Sequence, residues 1–185
     1  MKISLSTRNH RTLAADLLVL PHDGGDLAEG SPLAELAASL PSGELTRLLA
    51  DEGFKGKRDQ VVKLRAPEGW SARTIVIAGT KGEGDEGDLG FHLAAAALKS
   101  AKEQRNIGLV LGDASTDAIR GAARGALGTA YRYTAHKTED DEKRPITLTL
   151  LVASTGAAQK RALNEGVIVA ESINFARDLV NAPPN

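Results

Sequence analysis

Cysteine is absent from the chain's 185 residues. That excludes a disulfide framework, a thiolate metal site and a cysteine nucleophile, and it fits a reducing compartment. Charge of either sign is not in excess: the net charge is -1, so no overall basic field recruits nucleic acid or an anionic membrane. No apolar run approaches the ~20 residues of a membrane span. Met1-Lys2-Ile3-Ser4-Leu5 lacks the apolar region of a signal peptide. Several catalytic signatures are also missing. There is no H-E-x-x-H, no G-x-S-x-G elbow and no G-x-x-x-x-G-K-[ST] loop. These absences lead to the expectation of a soluble, cytoplasmic, globular chain. Its length suits one domain, or one and a fraction, with a core that needs no metal or disulfide staple.

What is present alternates between strand and helix patterns. Ile3 and Leu5 alternate with Lys2, Ser4 and Ser6, as in a half-buried strand. Leu17-Leu18-Val19-Leu20, closed by Pro21, reads as a central strand buried on both faces. Ser31-Pro32 starts a short helix to Leu40, and a second runs from Glu44 to Glu52, stopped by Gly53. Gln60–Arg65, Thr74–Ala78, Ile107–Leu111 and Ile146–Ala153 read as strands. Asp88 is placed as the cap of a helix from Leu89 to Gln104, and Ser115 or Thr116 as the start of one to Tyr133. Gly121, Gly125 and Gly128 recur on that helix, where each costs up to ~1 kcal/mol, so the stripe is expected to let it pack closely on the sheet. The tally of about six strands and five helices predicts an α/β fold, a mixed and mostly parallel sheet flanked by helices. Two early strands with no helix between them allow an antiparallel pair. Strand order is not fixed by the pattern.

The last stretch, Gln159–Asn185, carries apolar residues at Leu163, Val167, Ala170, Ile173, Ala176 and Val180, one face of an amphipathic helix. Pro183 and Pro184 end it. A long helix leading to a Pro-Pro turn suggests the stalk between two domains. The expected division is 1–158 as an α/β body and 159–185 as an interdomain helix and turn.

Candidate sites are few. Gly82-Glu83-Gly84-Asp85-Glu86-Gly87 matches a dinucleotide-binding turn literally, with Asp113 after the next strand as a ribose acid. Glu83, Asp85, Glu86 and Asp88 crowd it against a single Lys81, which would repel pyrophosphate; a mobile solvated loop is expected. His10, His22, His92 and His136 form no i, i+4 pair and read as surface or satisfied side chains. Glu139-Asp140-Asp141-Glu142, beside Lys137, Lys143 and Arg144, reads as a solvated loop. Tyr131, Arg132, Tyr133 and Lys137 form an aromatic and basic cluster that suits phosphate or a base, although packing is the commoner role. Lys55, Lys57 and Arg58 are the densest basic patch, small for a monomer but able to meet phosphate in an oligomer. Arg177, Asp178 and Asn181 suit an interface or a following domain.

Ala176-Arg177-Asp178-Leu179-Val180-Asn181-Ala182-Pro183-Pro184-Asn185 resembles the interdomain segment of the leucyl aminopeptidases, peptidase family M17. Phe54-Lys55-Gly56-Lys57 resembles that family's turn before its third strand, and Gly125-Ala126-Leu127 through Tyr131-Arg132-Tyr133 to Lys137 resembles its helix-end segment. The resemblance implies a macro-domain-like arrangement and a non-catalytic N-terminal domain. It further implies a separate catalytic domain that removes N-terminal amino acids from peptides with two divalent ions, zinc or manganese, and a hexameric assembly. The motif Asn-Thr-Asp-Ala-Glu-Gly-Arg-Leu is absent, so no catalytic, cofactor-binding or metal residue is carried onto this chain. The chain alone is expected to serve assembly and access control. Two other readings stay open. One is a macro-like module for ADP-ribose, although Pro21-His22-Asp23-Gly24-Gly25 lacks the asparagine-rich turn of such binders. The other is DNA binding, which the near-zero charge does not favour.

Overall fold

The computed structural model describes residues 1–132 and 146–181. The calls on Tyr133, His136, Lys137, Glu139–Arg144 and Ala182–Asn185 therefore lie outside the described residues. Six strands form one sheet: β1 (Lys2–Ser6), β2 (Leu17–His22), β3 (Val61–Arg65), β4 (Thr74–Gly79), β5 (Asn106–Gly112) and β6 (Thr147–Val152). Their order is β1-β6-β5-β2-β4-β3. Every pairing is parallel except β3 with β4. The sheet is thus mixed and mostly parallel. The antiparallel pair is β3–β4, joined with no helix between them, while β1 and β2 lie apart.

The helices are α1 (Pro32–Ala38), α2 (Glu44–Asp51), α3 (Glu86–Ser100), α4 (Thr116–Ala130) and α5 (Ala157–Asn181). They cover both faces. Side chains alternate along a strand, so Leu17 and Val19 of β2 enter the core under α3 and α4, and Leu18 and Leu20 enter the core under α1 and α2. All four are fully buried, as a continuous apolar run in a central parallel strand requires. Pro21 does not close β2. It stays in the strand opposite Ala78, because pairing with β5 ends at Val19 and leaves one edge of β2 without a ladder there.

Asp16 ties the start of β2 to the start of β5. Its Oδ2 accepts from the Asn106 and Arg105 backbone N–H groups at 3.0 and 3.1 Å. The Asn106 bond is the main reason this carboxyl titrates below its usual range; the Arg105 bond and the Arg73 charge add to it, against partial desolvation.

Two helix starts are capped by serine as expected, Ser31 on α1 and Ser115 on α4. The cap of α3 is corrected. Asp85 is its N-cap, and Asp88 closes a capping box three residues later, so the helix begins at Glu86 and stops at Ser100 rather than Gln104. Helix α4 ends at Ala130, and Tyr131 leaves it with extended backbone.

The glycine stripe packs helix on helix, not helix on sheet. A Cβ on Gly121 or Gly125 would collide with the Gly87 or Phe91 carbonyl of α3, and one on Gly90 of α3 with the Ala118 carbonyl of α4. The same device seats α5: a Cβ on Gly166 would sit 2.5 Å from the Arg120 carbonyl oxygen. The buried stripe of α5 is accordingly Ala162, Gly166 and Ala170. The expected face holds from Leu163, which packs on the core, to Ala170 and fails beyond it, where Ile173, Ala176 and Val180 are exposed.

Two outcomes follow from these contacts. Gly125→Ala is expected to cost about 1–3 kcal/mol through overpacking. Gly128→Ala, where nothing lies within 4 Å of the added Cβ, should gain up to about 1 kcal/mol of helix propensity. Urea unfolding of both variants reads the difference. The lowered Asp16 pKa stabilises the fold above the ordinary carboxylate range, and that contribution is lost as pH falls through the lowered value. Asp16→Asn should be about 1 kcal/mol less stable near neutrality and lose less stability than the parent on acidification, measured by unfolding at a series of pH values.

Candidate functional site

In open α/β sheets ligands usually bind beyond the C-terminal ends of the strands. Here that edge is occupied by the chain itself. The segment Phe54–Arg58 lies over the ends of β2 and β4. Gly24 and Gly56 take positive φ, and a Cβ on Gly24 would lie 2.6 Å from the Lys55 carbonyl carbon; one on Gly56 or Gly79 would meet the Asp23 or Lys57 carbonyl. The Lys81 N–H donates to the Gly56 carbonyl at 2.7 Å, and the Arg58 N–H to the Lys81 carbonyl at 3.0 Å. Gln60 braces the turn, its Oε1 accepting from Lys55 N–H at 2.8 Å and its Nε2 donating to the Gly53 carbonyl at 3.0 Å. The His22 ring stacks on Phe54 with centroids 5.8 Å apart. Its pKa is held below the usual value by burial, which outweighs the neighbouring Asp23. Nearby, Gly112, Asp113, Ser154 and Gln159 line a hollow of about 120 Å³, smaller than the roughly 300–1,000 Å³ of ligand pockets.

The glycine loop after β4 is exposed but anchored. The Arg58 guanidinium donates to the Thr80 carbonyl at 3.3 Å and the Glu83 carbonyl at 2.5 Å. The N–H groups of Asp88 and Asp85 donate to the other's carboxylate at 2.9 and 3.3 Å. Two of the donors a pyrophosphate would use at this helix end are thus taken, both by carboxylates that would repel it. Asp113 follows β5, which β2 separates from β4, so the loop and its expected ribose acid are not on neighbouring strands.

A larger hollow lies elsewhere. A groove of about 1230 Å³ runs between β3 and α3. Val61, Ala95 and Ala96 supply apolar lining. Lys55, Lys57, Lys63, Lys81, Lys99 and Lys102 stand around it. The Lys63 ammonium donates to the Ser100 carbonyl at the end of α3, 3.3 Å away. The sequence groups Lys55, Lys57 and Arg58, all of which line the groove, and sets Lys81, from the loop after β4, beside the glycine loop instead. Lys63 comes from β3 and Lys99 and Lys102 from the end of α3 and just past it, which only the strand order brings alongside; His92, on the exposed side of α3, also lines the groove.

A second cluster joins α4 to α5. The Tyr131 hydroxyl donates to Asp178 Oδ1 at 2.8 Å, and the Arg177 guanidinium stands 5.5 Å from the Tyr131 ring centre. Desolvation, then the Asp178 bond, raises the phenol pKa. Asn174 Nδ2 donates to the Leu127 carbonyl at 3.2 Å, while Arg120 binds Glu165 at 2.8 Å and also pairs with Asp117. Arg177 and Asp178 thus engage α4 within this body, Asn181 donates to its own helix at Arg177, and Arg132 turns back on the Thr129 and Tyr131 carbonyls. Beyond Ala170 the apolar side chains of α5 face outward, with Phe175 63% and Val180 84% exposed. His10 is satisfied by Glu35 at 3.2 Å and lies against Trp70. Among the described residues no three His, Cys, Asp or Glu side chains form a group that could hold a metal ion.

The sequence matches the model of the cytosol aminopeptidase family, N-terminal domain, over residues 19–140. It is 34% identical to a probable cytosol aminopeptidase of Caulobacter vibrioides, covering 92% of this chain and 35% of that protein. In structure it is similar to a tomato leucine aminopeptidase variant, with a TM-score of 0.77 and 25% identity over 99% of this chain and 38% of the other. An Oceanobacillus iheyensis macrodomain shares the fold, with a TM-score of 0.57 and 16% identity over 91% of this chain and 90% of that one. The chain spans little more than a third of the length of these aminopeptidases, and with its filled strand ends and packed glycine helices it belongs to the cytosol aminopeptidase family as its N-terminal domain.

Proposed function

We propose that this domain is the non-catalytic part of a cytoplasmic dimetal leucyl aminopeptidase that removes N-terminal amino acids from peptides. In this reading residues 1–158 are the body, and 159–185 lead to a catalytic domain that holds two divalent ions, zinc or manganese. The domain serves assembly, in a hexamer, and access to the catalytic chamber. The observation that carries the reading is α5. Its first half is seated on α4 by small residues, yet Phe175, Leu179 and Val180 stand 63%, 62% and 84% exposed beyond it. Large apolar side chains in a row at the end of a braced helix suit cover by a further structure. Relatives of which this chain spans 35–38% have the length to supply one. The occupied strand ends speak against the ADP-ribose reading, since the Phe54–Arg58 segment lies where such a ligand would enter.

The 185-residue chain, purified with zinc or manganese, is expected to release no N-terminal leucine, and chelator-sensitive release from it would overturn the reading. Because the chain has no cysteine, Phe175→Cys and Val180→Cys report exposure cleanly. Maleimide should modify both quickly in this chain and at least about tenfold more slowly in a longer protein that includes the downstream region. Equal rates in the two would mean that nothing covers α5.

A further inference from the structure

The groove between β3 and α3 is not used by the reading above. We propose that it binds an extended acidic segment of another polypeptide, with carboxylates on its lysine rims and alternate apolar side chains on Val61, Ala95 and Ala96. Three features of the groove point this way.

First, the charge is one-sided in a chain whose net charge is -1. Six lysines stand around the groove with Asp59 as the acid in its lining. No ion pair among the described residues involves any of these lysines. Second, β3 is an edge strand, and α3 covers the neighbouring strands and leaves its outer portion open. Val61 is 46% exposed there, a β-branched apolar side chain between two lysine-bearing walls. An extended peptide alternates its side chains with a period of two. Apolar residues can thus meet the floor while the intervening carboxylates reach the lysine heads, whose flexible stems carry charge up the walls. Third, the lining suits a peptide better than a nucleic acid. Lysine heads take carboxylate or phosphate alike, but nucleobases stack on aromatic platforms, and no phenylalanine, tyrosine or tryptophan lines the groove. Arg58 already has its guanidinium on the Thr80 and Glu83 carbonyls. The apolar floor gives a sugar-phosphate backbone nothing, and it gives valine or leucine a contact.

Lysines beside an edge strand also keep two copies from pairing edge to edge. That role alone would leave the groove indifferent to an acidic peptide.

The test is fluorescence anisotropy with the 185-residue chain and three labelled probes: a decapeptide alternating glutamate with valine or leucine, the same peptide with serine at the apolar positions, and a random duplex of DNA. The alternating peptide should bind most tightly and lose affinity with added salt. Lys57→Glu combined with Lys99→Glu, on opposite walls, should weaken it about tenfold or more, and Lys55→Glu with Lys102→Glu should do likewise if the first pair misfolds by circular dichroism. Val61→Ser should weaken the alternating peptide and leave the serine peptide unchanged. Tighter binding of the duplex, or peptide binding that ignores either the lysine reversals or Val61→Ser, overturns the proposal.

Discussion

Backbone contact between helices is the constraint on which the rest of this domain depends. Where α3 meets α4, glycine on each helix faces a carbonyl of the other: Gly90 against Ala118, and Gly121 and Gly125 against Gly87 and Phe91. Helix α5 repeats the arrangement at Gly166. Approach this close brings carbonyls and Cα–H groups together and leaves no slack for large side chains. It also explains why these helices enter the core largely through alanine: Ala94, Ala97, Ala122 and Ala126 are all fully buried. A three-helix layer this thin lets the sheet stay covered with few aromatic side chains. The helix propensity given up at the glycines is offset by dense packing, which no larger residue could reach.

The opposite face is organised differently. Short helices α1 and α2 rest on Leu18, Leu20, Ile75 and Ile77 through leucines and Trp70, whose indole N–H donates to Ser39 Oγ at 3.1 Å. From this side the chain returns over the strand ends as Phe54–Arg58 before entering β3. One short segment therefore covers the strand ends where open α/β sheets usually bind ligands, anchors the acidic glycine loop through Arg58, and delivers β3 to the margin of the sheet. The macro-like scaffold keeps its sheet while its crevice becomes a packing surface.

Much of this was legible in the sequence. The continuous run Leu17–Leu20 announced a strand buried on both sides, and alternation at Ile3 and Leu5 a half-buried one, because solvent exposure is written directly into residue type. Ser31 and Ser115 marked helix starts because a cap needs only a local hydrogen bond. What failed needed knowledge of neighbours. Pro21 seemed to end β2, yet the partner strand stops first. Asp88 reads as the cap in sequence, but two acids share the job. The glycines of α4 were aimed at the sheet because nothing local says which element supplies the opposing carbonyl. The basic groove was missed for the same reason: Lys63 and Lys99 lie far apart in the chain and meet only through the order β4-β3 and the path of α3. The terminal ten residues signalled the family, although Ala182–Asn185 lie outside the described residues.

Helix α5 has a mechanical consequence. It is 25 residues long, about 37 Å, and its last buried residue is Ala170. The eleven residues beyond project about 16 Å, so the helix acts as a lever with its fulcrum at the Gly166–Ala170 seat. A tilt of a few degrees there becomes a displacement of ångström size at Asn181. The bonds from Asn174 to Leu127, Arg177 to Gly128 and Tyr131 to Asp178 sit out along that arm, where each has the longest leverage against bending. A push at the tip therefore loads the end of α4 first, where these bonds are anchored.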